Sequence, residues 1–123
     1  MIIFLKIFFL IIITMILGIF FLTPDMSTFP GMISNIQKSE MVINYYGLLF
    51  YCILLIFSLY YFILKDKKPI LDAFLLGVAI NGIAESTNYT IFKEWDISFV
   101  IFDLIGGGLF FAAVTFIFYR LKI

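Results

Sequence analysis

Apolar side chains fall in four long blocks, separated by short clusters of charge, proline and glycine. From Met1 to Leu22 the single charge is Lys6, from Met41 to Leu64 there is none, from Ala73 to Phe92 there is Glu85, and from Ile97 to Tyr119 there is Asp103. Each block is near the ~20 residues that a helix rising ~1.5 Å per residue needs to cross a hydrocarbon core ~30 Å thick. Backbone N–H and C=O groups must all be paired inside lipid, and the blocks lack the apolar–polar alternation of a barrel strand, so each is read as a helix. The pattern predicts an all-α fold, a four-helix transmembrane bundle forming a single domain over 1–123, with spans at about 2–22, 44–64, 70–91 and 97–119 and an outer loop at 23–43. The first block exceeds the roughly 7 to 15 apolar residues of a secretory signal and lacks a small-x-small cleavage site, which makes it a retained helix.

Composition moves these blocks from a protein core into a membrane. The chain is 64% hydrophobic and 13% charged, where a water-soluble domain is about a quarter charged. Eight basic residues balance eight acidic ones, so bulk charge offers nothing to a nucleic-acid backbone. The absence of His removes Ser–His and Cys–His nucleophiles and most zinc sites. A lone Cys52 allows neither an intrachain disulfide nor a C-x-x-C redox pair. Neither a cofactor nor a metal site is indicated.

Basic residues in short loops set the expected direction. Lys65, Lys67 and Lys68 lie between the second and third spans, Arg120 and Lys122 follow the fourth, and Lys6 can snorkel to the same side. The expected topology is therefore N-in, C-in, with the 23–43 loop and the Phe92–Asp96 turn outside. Trp95, Tyr45 and Tyr46 fit an outer aromatic belt, and Tyr60 with Tyr61 an inner one. Pro69 and Asp72 suit the first turn of the third span. Beyond the Pro30-Gly31 turn, Met32, Ile33 and Ile36 read as a short interfacial segment.

The two acids inside predicted spans are the candidate chemistry, because an intramembrane carboxylate is costly. Glu85 lies six residues before Ile91 and Asp103 six after Ile97, which puts both about 9 Å from the outer ends of antiparallel neighbours. Gly77, Asn81, Glu85 and Asn88 share one helical face, Asp103 and Gly107 share another, and Asn44, Gly47, Tyr51 and Ser58 form a third polar edge. These edges describe a small outward-facing chamber. Glu85 and Asp103 are its candidate catalytic residues, and Asn44, Tyr51, Asn81 and Asn88 its candidate binding residues. Two carboxylates in low dielectric do not both ionise readily, so a proton relay, an acid–base dyad, a cation site and a purely structural hydrogen-bonded pair are all open.

Several of these residues also carry a family likeness. Glu85 followed three residues on by Asn88, then Ser98, Asp103 and Gly106 to Gly108, resembles the VanZ-like family of small bacterial integral membrane proteins, whose last two helices carry a Glu-x-x-Gln element and an Asp before a Gly-containing segment. Residues 40–45, Glu-Met-Val-Ile-Asn-Tyr, are similar to that family's entry into its second helix, and Thr23-Pro24 resembles the close of its first. Asn44 stands where the family usually has His, no Arg precedes Ser98, and Gly106 replaces a common Asn. The resemblance implies a multi-pass protein of the bacterial plasma membrane, a cell-envelope factor that modulates tolerance to glycopeptide antibiotics or antimicrobial peptides. Its implied partners are the lipid bilayer and either a lipid-linked envelope precursor or a partner membrane protein. Three other functions stay open beside it: an intramembrane acid–base hydrolase or transferase using Glu85 and Asp103, a proton- or cation-coupled transporter, and a structural membrane subunit.

Overall fold

The computed structural model describes residues 2–25, 29–39, 42 and 44–121. Glu40, Ile43 and Lys122, used in the sequence reading, lie outside the described residues. Among the described residues all regular structure is helical: α1 (Ile2–Asp25), α2 (Phe29–Gln37), α3 (Tyr45–Leu59), α4 (Ile70–Ile91) and α5 (Ile97–Leu121). α3 runs on without a break into one π-helical stretch, Tyr60–Leu64. Among the described residues three helices are long and apolar enough to cross a membrane, namely Tyr45–Leu64, Ile70–Ile91 and Ile97–Leu121. α1 spans 24 residues, and Pro24 falls in its last turn.

Local chemistry explains the ends of these helices. Asn44 caps α3, its side-chain oxygen accepting from the backbone N–H of Tyr46 at 3.0 Å and of Gly47 at 3.2 Å. Asp96 does the same for α5 through the Ser98 N–H at 2.9 Å. Asp72 lies in the first turn of α4, where the helix dipole favours an acid. Hydroxyls on the exposed face of α4 fold back onto their own helix: Thr87 and Thr90 each donate to the carbonyl four residues earlier, at 2.7 Å. An exposed hydroxyl on an apolar helix needs such a partner.

α4 and α5 form the tightest pair. A Cβ on Gly77 would overlap the backbone carbonyl of Gly107, and one on Gly108 would come within 2.8 Å of the Phe74 ring. Only the missing side chains let these two backbones approach so closely. α1 packs along α5, where a Cβ on Gly18 would stand 4.0 Å from the Phe110 ring.

Two separate cores close the two ends of the molecule. At the end carrying Lys65, Lys67 and Lys68, all four long helices contribute, with Leu10, Leu59, Ile63, Ala73, Val114 and Phe118 among the buried residues. The Tyr119 hydroxyl ties the α3–α4 turn to α5 there by donating to the Lys68 carbonyl at 2.7 Å. At the opposite end Met32, Trp95, Phe99 and Val100 form a smaller core under α2. α3 joins only the first of these: Leu59, Ile63 and Leu64 are buried, whereas every residue from Tyr45 to Leu54 is exposed. It therefore stands away from its neighbours over its first half.

Candidate functional site

The gap left by α3 is the principal cavity. It measures about 640 Å³ and is walled by α1, α3, α4 and α5. Most of the wall is apolar, including Leu48, Leu55, Ile80 and Phe110, while Tyr51, Asn81 and Asp103 bring polar atoms to it. Thr14 adds a hydroxyl that is buried without a hydrogen-bond partner. A concave apolar space with a few convergent polar groups is the usual form of a ligand site.

The glycine seam places Asp103 on this wall. Gly107 has no Cβ to obstruct the Asn81 amide, which a side chain at that position would overlap. Asn81 Nδ2 can then donate to the backbone carbonyl of Asp103 at 3.0 Å. This holds Asp103 opposite Asn81, half-buried and at the cavity wall. Gly106, one residue before the seam, has nothing within 4 Å of where a Cβ would stand and opens into the same space.

Glu85 has a different environment. It is 7% exposed, and its Oε2 accepts the Trp95 indole N–H at 2.7 Å. Trp95 is itself 4% exposed and stacks edge-on against Phe99, the two ring centroids 6.2 Å apart. Met32 of α2 covers this group, its sulfur accepting from the Asp96 N–H at 3.5 Å. The carboxylate is thus enclosed by α2, the α4–α5 connector and the start of α5.

The structure corrects the expected chamber in three respects. Equal spacing from the connector implied equal depth for the two acids, but the seam registers Asp103 with Asn81 and leaves Glu85 one turn, about 6 Å of rise, nearer the connector. Glu85 is not among the residues lining the cavity, so the two acids do not share it. Trp95, expected in an aromatic belt, is instead the buried donor to Glu85. Asn44 serves as the cap of α3, and Asn88 does not line the cavity, so of the four binding candidates Tyr51 and Asn81 are the two brought to it. Thr14 and Gly106 were not anticipated. Thr14 lies in an otherwise unbroken apolar block, where only its hydroxyl marks it out. Among the described residues no three His, Cys, Asp or Glu side chains gather as a metal ion would require.

Neither family models, nor curated proteins, nor solved structures give a match to this chain.

Proposed function

We propose that this chain is a VanZ-like integral membrane protein of the bacterial plasma membrane, an envelope factor that binds a membrane-embedded amphiphile and thereby modulates tolerance to glycopeptide antibiotics or antimicrobial peptides. The observation that carries this reading is the apolar cavity between α1, α3, α4 and α5 with Asp103, Asn81 and Tyr51 at its wall. Three helices of spanning length support the membrane setting, and α1 supplies the fourth crossing. Lys65, Lys67, Lys68 and Arg120 collect at one end, which the positive-inside rule assigns to the cytoplasm. Both α1 and α5 then have their basic ends inside, and α2 with the α4–α5 connector lies outside. The cavity opens in the outer half.

The same geometry weighs against an acid–base pair. General acid–base catalysis by two carboxyls needs both within reach of one substrate, and the carboxylate of Glu85 is engaged by Trp95 away from the cavity. A single carboxylate among apolar walls suits holding a ligand better than cleaving one.

Susceptibility measurements test the proposal. Expression in a susceptible bacterium is expected to change the inhibitory concentration of glycopeptides or cationic peptides, and Asp103→Asn is expected to abolish the change while the protein still reaches the membrane. Unaltered tolerance on expression of the unmodified chain would count against the reading.

A further inference from the structure

The size and shape of the cavity restrict what can fill it, on the reading that it receives a membrane amphiphile. An apolar space destabilises a fold in proportion to the volume left unfilled, and about 640 Å³ would offset the entire stability of an ordinary domain. Some occupant is therefore required. Water suits it poorly, because each buried water needs about two to four polar partners and the wall is mostly apolar, with polar atoms at a few points. A helix from another chain is too large: a cylinder about 10 Å across and about 15 Å long takes up roughly 1,200 Å³, nearly twice the space.

A hydrocarbon chain fits in length. The wall follows α3 from Tyr45 to Ile56 and α5 from Phe102 to Phe111, a height of about 14–16 Å by helical rise. That is about half of a hydrocarbon core ~30 Å thick, the depth of a single leaflet. An extended alkyl chain advances about 1.25 Å per carbon, from C–C bonds of about 1.5 Å meeting at about 111°, so about 11–13 carbons reach from the mouth to the floor. The residues from Tyr45 to Leu54 are all exposed, so α3 leaves the space open to the surrounding hydrocarbon over most of this height, and a chain enters sideways without leaving the bilayer. The floor is closed. Phe111, which lines it, is 2% exposed and belongs with Leu59 and Val114 to the larger core.

We infer that the cavity seats the hydrocarbon chain of one lipid from the leaflet farther from Lys65, Lys67 and Lys68, its end resting on Phe111 and its head left at the mouth beside Tyr45. The fit depends on apolar length and sets no condition on the charge of the head.

The test uses the full chain in phosphatidylcholine nanodiscs containing a phosphatidylcholine with a photoreactive diazirine on one tetradecanoyl chain, at its third or its twelfth carbon. Mass spectrometry of peptides from the irradiated protein reads which residues are labelled. The twelfth-carbon lipid is expected to label Phe111 and Ile56, and the third-carbon lipid Tyr45 and Phe102. Gly106→Phe, whose ring projects into the void, is expected to lower labelling of Phe111 roughly tenfold, the factor that crowding a filled space with a ring supplies. Ile83 and Leu109, exposed and outside the lining, should keep their labelling from bulk lipid. Gly106→Val serves as a milder version should the larger residue fail to give a helical, monodisperse product. Labelling that stays at the mouth with both lipids overturns the chain assignment and leaves the amphiphile reading standing. A lining without label while Ile83 and Leu109 are labelled, or labelling of Phe111 that neither Gly106 variant lowers, overturns both.

Discussion

Glu85 and Asp103 are both carboxylates set in long apolar helices, and their surroundings could hardly differ more. Glu85 lies inside a small aromatic cluster, with an indole N–H supplied by a residue ten positions further along the same hairpin. Asp103 lies on the wall of a void, and its backbone carbonyl accepts from Asn81 of the neighbouring helix. A carboxylate removed from water needs a donor or an outlet. The first acid has the Trp95 donor and closes one end of the fold, whereas the second stands at the cavity wall. Their difference separates an acid enclosed at one end of the fold from one that borders the cavity of the proposed site.

Substitutions can break this contrast at its source or sharpen it. The largest effect is expected at the seam that registers the acids: Gly77→Val or Gly107→Val forces α4 and α5 apart and should lower stability by more than about 3 kcal/mol in detergent unfolding. Retained stability would mean that the two helices are not in close contact. Next comes the enclosed acid. Glu85→Leu leaves the Trp95 N–H buried without a partner and is expected to cost about 1–3 kcal/mol, and a double-mutant cycle with Trp95→Phe should return a coupling of similar size. Additive effects would show that the pair does not interact. Asp103→Asn should change stability by less than about 1 kcal/mol, because the substitution keeps the shape of a half-buried side chain at a cavity wall, and yet remove the tolerance phenotype. The smallest effect belongs to Gly106→Ala, expected within about 0.5 kcal/mol of the parent, since a methyl group there meets no neighbouring atom.

Much of the helical architecture was legible in the sequence, because twenty-residue apolar blocks have few ways of satisfying their backbones. Gly77, Gly107 and Gly108 are the small residues at the close approach of the last two helices. The site was less legible. Helical periodicity shows which residues share a face, but not the relative height of two faces, and here a shift of one turn separates the acids. The connector caused that shift: Trp95 folds inward to meet Glu85, so the hairpin is not symmetric about its turn. A buried carboxylate implies a nearby donor, and the single indole on the five-residue connector was the available hint. Asn44 illustrates a related ambiguity. At the start of a helix a polar side chain caps the backbone as readily as it binds a ligand, and only the 3.0 and 3.2 Å contacts decide between the two. The standing-off of α3 left no trace in its residues, because an apolar helix face looks the same whether it meets protein or lipid.

Trp95 is the chain's one tryptophan, and it sits in the smaller core, at the end opposite Lys65, Lys67 and Lys68. Ultraviolet emission excited at the red edge therefore comes from a single ring that samples only the α2-covered end. Loosening there should shift the spectrum to longer wavelength, while rearrangement around Leu59 and Phe118 should leave it unmoved. The fold carries a built-in optical gauge for one of its two ends, readable without any label.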